Sequence, residues 1–161
     1  MTKPKNNFKF GTRSNNNLNT VHQDLHKVMV NALSLSDFDF GITEGRRTIQ
    51  RQRELVATGK SKTLNSMHLS GLAVDIAVYD EKGHISWDYI YFTEVAKVVR
   101  ISSIEYNVPI IWGGCWKKLS DIQEEDMDRA IDDYIKERQL QRRNAFVDAP
   151  HFELDKIIYR A

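Results

Sequence analysis

Along residues 72–79, the aliphatic side chains of Leu72, Val74, Ile76 and Val78 alternate with Ala73, Asp75, Ala77 and Tyr79. That period-two pattern predicts a strand with one face against a core. Asp75 then projects from the opposite face, between two small alanines that leave room beside its carboxylate. The same alternation in His151-Phe152-Glu153-Leu154 puts Phe152 and Leu154 on one side and His151 with Glu153 on the other. A strand neighbouring the first would bring His151 across to Asp75. Phe38, Phe40 and Ile42 alternate in the same way, Val108 to Trp112 reads as a buried strand, and Phe8-Lys9-Phe10 as a short one. Asp80-Glu81-Lys82-Gly83 is a turn that leads into a hairpin partner at His84-Ile85-Ser86.

Helical spacing appears elsewhere. Val21, Leu25, Val28, Met29, Ala32 and Leu33 recur at intervals of three and four, and Thr20 with Gln23 gives the start of that helix a capping-box pattern. Thr48 is placed to cap a helix over Ile49 to Thr58 that Gly59 ends. Asp88 to Tyr106 predicts a long amphipathic helix with Phe92, Val95 and Val99 on its core face, stopped by Asn107 and Pro109. Ser14 to Asn19 reads as a polar loop. From Lys117 to Phe146 the character changes to a helical insert. Asp121, Glu124, Glu125, Asp126 and Asp128 crowd the start of its helix, and Arg138, Arg142 and Arg143 crowd the end, each sign matching the helix dipole. Its stripe of Met127, Ile131, Tyr134 and Ile135 fits a surface helix packed on the rest of the chain.

With 161 residues, 41% of them hydrophobic, the chain is long enough to bury a substantial core, and it is read as one domain over residues 1–161 with the insert at about 117–146. A formal charge of +1 argues neither for nucleic acid nor for an acidic surface as partner, and no nucleic-acid partner is expected. One cysteine, Cys115, excludes an intrachain disulfide framework and fits synthesis in a reducing cytoplasm. The basic N-terminus leads into no apolar stretch, and no run approaches membrane-spanning length. The expectation is a protein made in the cytoplasm without a signal peptide and not inserted in a membrane.

The candidate chemistry lies on the two alternating segments. His68, Asp75 and His151 offer two imidazoles and one carboxylate, a set that Zn²⁺ accepts when a fourth position is left to water. Gly71 lets the chain turn between His68 and the strand, and Asp148, three residues before His151, can serve as a base. His22 and His26 are four apart, the spacing of a zincin pair, but Gln23 stands where that motif needs glutamate, so they are read as surface or capping histidines.

Ser66-x-His68-x-x-Gly71-x-Ala73-x-Asp75, followed by Asp148-x-x-His151, resembles the zinc-dependent D-Ala-D-Ala carboxypeptidase family, which includes vancomycin-resistance dipeptidases and bacteriophage endolysins. Val21 to Leu25, Phe40 to Thr48, Leu64 to Ser66, Trp112-Gly113-Gly114 and Pro150 to Leu154 are similar, in the same order, to segments of its endolysin branch, the L-alanyl-D-glutamate peptidases. The resemblance implies an α+β fold, with helices packed around a small antiparallel sheet and zinc in an open cleft. It implies a metallopeptidase that cuts peptidoglycan stem peptides between L-alanine and D-glutamate, acting on the wall, as a monomer, once a separate holin-like factor has opened the membrane. Alignment with the family's Gly-x-Arg-Ser/Thr pattern picks Arg47 to hold substrate and steady the oxyanion. Ser66 either hydrogen-bonds substrate or shapes its loop. Trp112 is expected to have its base in the core and its edge on the cleft, as a substrate contact. Many phage relatives carry Trp-Gly-Gly-Asp-Trp where this chain has Trp112-Gly113-Gly114-Cys115-Trp116, and Cys115 is read as a packed thiol. The alternatives are a D-Ala-D-Ala carboxypeptidase or dipeptidase and a catalytically silent, zinc-stabilised wall-binding module.

Overall fold

In the computed structural model, which describes residues 1–160, the chain runs through α1 (Thr12–Leu18), α2 (Gln23–Leu35), β1 (Phe40–Glu44), α3 (Ile49–Ala57), a 3-10 turn at Met67–Ser70, β2 (Ala73–Tyr79) and β3 (Ile85–Ser86). It continues through α4 (Tyr89–Tyr106), β4 (Ile110–Trp112), β5 (Lys117–Lys118), 3-10 turns at Leu119–Asp121 and Glu124–Arg129, α5 (Ala130–Leu140) and β6 (His151–Leu154). The strands form one antiparallel sheet in the order β1-β2-β6-β4-β5, with β3 beside the far end of β2. This is the α+β arrangement expected.

One face of the sheet is apolar because every second residue is. Val74, Ile76 and Val78 of β2, Phe152 and Leu154 of β6, and Ile110 and Trp112 of β4 are buried in one cluster with Leu25, Val28 and Met29 of α2 and Phe92, Val95 and Val99 of α4. The opposite face of β2 and β6 is thereby left to Asp75, His151 and Glu153. Register completes the placement: Asp75 stands directly opposite His151, and Ala73 opposite Glu153. A slip of one residue would turn His151 into the core, so the same apolar pattern that builds the sheet fixes the polar pair on its other face.

Four local expectations are corrected. Phe8-Lys9-Phe10 forms no strand; its phenylalanines pack on the core, Phe10 edge-on to Phe40 at 5.6 Å. Residues 14–19 are not a loop, since most of them lie in α1. Its polar side chains serve the sheet edge: Ser14 Oγ accepts the Ile42 amide at 2.9 Å, and Asn17 Nδ2 donates to the Ile42 carbonyl at 2.7 Å. The helix thus satisfies backbone groups that an edge strand would otherwise expose. No capping box forms, because the N-cap of α2 is His22, whose Nδ1 accepts the Asp24 amide at 3.0 Å. Thr20 instead donates to the Asn17 carbonyl and accepts the Arg46 amide. In the insert, the acidic run lies on 3-10 turns and only α5 is an α-helix, with Arg142 and Arg143 beyond its end. Thr48 does cap α3, accepting the Arg51 amide at 3.1 Å.

Candidate active site

His68 sits in the 3-10 turn before β2, where Ser66 caps the turn by accepting the His68 amide at 3.2 Å and Gly71 ends it at φ +69°. A side chain at that φ would be strained, and glycine removes the obstacle. Asp148 is brought in by another glycine. The Asp148 amide donates to the Gly113 carbonyl at 2.9 Å, and a Cβ at Gly113 would collide with the Asp148 carbonyl. Close approach of the two backbones therefore requires glycine here.

His68, Asp75 and His151 converge. Asp75 Oδ1 lies 3.3 Å from His68 Nε2 and 3.1 Å from His151 Nδ1, and one ligand atom from each residue falls within 4.8 Å of the others. The remaining ring nitrogens are occupied: His68 Nδ1 is 2.8 Å from the Gly45 carbonyl, and His151 Nε2 is 2.7 Å from Glu153 Oε1. Each outer partner is an acceptor, so in the neutral imidazole it favours the proton on its own side, which makes the inner nitrogen available to a metal once that nitrogen has lost its proton. The buried His68 Nε2 has no hydrogen-bond partner among the described residues. An orphaned nitrogen of this kind carries a desolvation cost that a metal would relieve. Nitrogen and oxygen ligands at about 2.0–2.1 Å in a tetrahedron stand roughly 3.3 Å apart, so the observed spacings fit a zinc-sized ion.

Charge is concentrated here. Burial works against ionisation of Asp75, but the hydrogen bond to His151 and the His68 imidazole beside it prevail and hold its carboxyl well below the usual range. Burial likewise opposes charge on His151, yet its bonds to Asp75 and Glu153 raise it to about 10 in the metal-free protein. A proton and a metal thus compete for the same nitrogen. Asp148 is pushed above the ordinary carboxylate value by burial and then by the negative charge of Asp75.

Arg47 is almost wholly enclosed. Its Nε and Nη2 form a fork on Glu44, at 2.7 Å each, Nη1 donates to Gln52 at 2.7 Å, and Nη2 reaches Asp75 at 3.4 Å. Arg47, Glu44 and Asp75 line a cleft of about 590 Å³ that also holds Ser66, Asp148 and Trp116.

The structure therefore brings together His68, Asp75, His151, Asp148, Arg47 and Ser66. Ser66 shapes the loop and also faces the cleft. Trp112 is excluded: it is fully buried, its indole donates to the Ala149 carbonyl at 2.8 Å and its ring stacks on Phe152. In β4 it points with Ile110 into the core, and the aromatic wall is Trp116 stacked on Phe146, with Trp116 also 5.5 Å from the His151 ring. The sequence reading missed this pair and the roles of Glu44 and Gln52. Glu44 stands three residues before Arg47, a spacing that could have signalled the ion pair. Cys115 is a buried free thiol, its pKa raised by burial, as expected of a packed cysteine. His22 caps α2, and His26 lies outside the ligand group.

Known proteins resemble this chain in sequence and in fold. The L-alanyl-D-glutamate peptidase of Escherichia phage T5 is 35% identical over 122 residues, which cover 73% of this chain and 88% of that protein. The peptidoglycan L-alanyl-D-glutamate endopeptidase CwlK of Bacillus subtilis strain 168 is 30% identical over 132 residues, covering 66% of this chain and 75% of the relative. The crystal structure of the Serratia marcescens L-Ala D-Glu endopeptidase ChiX superposes with a TM-score of 0.72 at 35% identity, over 93% of this chain and 92% of that one. A family model for phage L-alanyl-D-glutamate peptidases matches residues 6–155. That span takes in His68, Asp75, His151, Arg47 and Asp148 along with the sheet that positions them, and the chain belongs to the phage L-alanyl-D-glutamate peptidase family.

Proposed function

We propose that this chain is a zinc-dependent peptidoglycan endopeptidase that hydrolyses the amide between L-alanine and D-glutamate in stem peptides. His68, Asp75 and His151 would hold the metal. The observation that carries this reading is the convergence of three ligand atoms, with both imidazoles oriented from behind by Gly45 and Glu153, beside an unpaired carboxylate in an open cleft. Bound there, zinc supplies a Lewis acid that polarises the scissile carbonyl and acidifies a water.

The chain's own groups do the rest. Asp148 takes a proton from the attacking water as its oxygen bonds to the alanyl carbonyl carbon. It returns that proton to the glutamyl nitrogen as the C–N bond breaks, and the remaining proton of the new carboxylic acid passes to the amine, leaving a carboxylate and an ammonium group. A carboxyl raised above its ordinary value by burial holds a proton more firmly than a free one, which suits a group that must both accept and return a proton. Arg47, charged at all working pH values and locked by Glu44, offers a fixed positive charge to the developing oxyanion or to a substrate carboxylate. Trp116 and Phe146 wall the cleft where the stem peptide would lie. A silent wall-binding module would need neither Asp148 nor Arg47 in the cleft.

Among the described residues, no helix is long and apolar enough to cross a membrane. For a protein of this kind made in a bacterial cytoplasm, a separate pore-forming factor would give access to the wall. The test is clearing of purified sacculi by zinc-loaded protein. The turbidity should fall with the wild type and stay constant after chelation or with His68→Ala, Asp75→Ala or His151→Ala, each of which should also lose metal. Full clearing by those variants, or stoichiometric zinc in all three, contradicts the assignment.

A further inference from the structure

Helix α3 buries a glutamine where an apolar residue would cost less. Gln52 is fully buried, and such a side chain is tolerated only when its amide is hydrogen-bonded. Here it is satisfied on both sides. Its Oε1 accepts from Arg47 Nη1 at 2.7 Å, while Nε2 donates to Ser61 Oγ at 2.9 Å and to the Thr63 carbonyl. The amide's orientation is forced, because a guanidinium has no acceptor and a carbonyl no donor. Ser61 and Thr63 belong to the segment between α3 and the His68 turn, whose residues Lys60 to Asn65, Leu64 excepted, line the cleft.

We infer that Gln52 is a positioning residue: it aims the Arg47 guanidinium at the reacting amide and ties that aim to the cleft-lining segment 60–65. The inference rests on the peptidase reading above. Glu44 grips the Nε and Nη2 edge of Arg47, and Gln52 takes one of the two Nη1 hydrogens. The other is left without a partner among the described residues. A leucine or methionine at position 52 would fill similar space but release the Nη1 end of Arg47 from its second anchor and leave the Thr63 carbonyl only the 3.3 Å bond from Ser61 Oγ.

The test is a double-mutant cycle on sacculi or a muropeptide, with kcat and KM measured separately and melting temperature and zinc content checked. Gln52→Met should lower kcat by roughly tenfold to a hundredfold, the cost of misplacing a group that contacts the transition state. It should also raise KM and speed amide hydrogen exchange across residues 60–65. In an Arg47→Ala background the same change should no longer lower kcat, because Gln52 acts through Arg47. Gln52→Glu keeps the acceptor for Arg47 and loses both donors, so kcat should recover while KM and loop exchange stay raised. It also carries the test if the methionine variant does not fold. An unchanged kcat in Gln52→Met, an equal loss of kcat in the Arg47→Ala background, or a Gln52→Glu enzyme as slow as the methionine variant overturns the proposal. The cycle is read on whichever bond the wild type cuts, so a wrong bond assignment and a wrong role for Gln52 give different results.

Discussion

Asp148 and Tyr159 show how far single groups can be tested. Asp148 lies outside the His68–Asp75–His151 group that could hold a metal, so on the proposed mechanism Asp148→Asn should keep zinc and fold but lower turnover by at least about a hundredfold, the lower range for loss of acid–base catalysis. A near-normal rate, measured on sacculi with zinc content verified, would move proton transfer to Glu153. Tyr159 donates to Asp24 Oδ2 at 2.6 Å. That bond is the largest influence holding Asp24 below its ordinary pKa, while burial first and then Asp24 push Tyr159 up to about 12. The depressed carboxyl adds stability that is present above its unfolded value and lost as pH falls through the folded one. The raised phenol adds stability that is present below its unfolded value and lost as pH rises towards 12. Tyr159→Phe should therefore cost stability between about pH 4 and 10, and the two proteins should converge outside that window. Because the pair is partly solvated, the deficit in urea unfolding should be under about 1 kcal/mol. A deficit that persists unchanged at pH 3 would contradict the linkage.

The elements differ in how openly the sequence announces them, and α1 and β2 mark the extremes. Strand β2 is legible because its core face, Val74, Ile76 and Val78, repeats without a break, and Asp75 follows from it by parity. His151 is equally legible, since β6 has the same alternation and the pairing is between neighbours in the sheet. Helix α1 is hidden because its work is polar. Ser14 and Asn17 hold the edge of β1 through Ile42, and a row of serine and asparagine looks like a loop when the strand it serves is out of view. Ser14→Ala should strand a buried amide and destabilise the protein by about 1–3 kcal/mol in denaturant unfolding. No loss of stability would mean that the edge of β1 does not depend on α1. Trp112 misled for a related reason. Its motif marks a place near the site, but parity within β4 decides which tryptophan faces the cleft, and the left-handed backbone at Trp116, φ 57°, cannot be read from composition. The Arg47–Gln52 link was likewise illegible, because a sequence shows that a glutamine is present but not that it is buried between a guanidinium and a carbonyl.

At the scale of the whole molecule, the division of labour is between two faces of one sheet. One face, packed by α2 and α4, makes the core. The other carries a charged cluster in which Asp75, His151, Glu153 and Arg47 partner one another, while His68 Nε2 has no hydrogen-bond partner among the described residues. The central claim is that this cluster, loaded with zinc, cuts one particular amide of the wall. Mass spectrometry of purified sacculi after digestion, with new amino termini labelled, tests it most directly. The account predicts labelled D-glutamate amino groups and stem peptides released from the glycan at their L-alanine. Free D-alanine without new glutamate amino termini would contradict it and establish a carboxypeptidase instead.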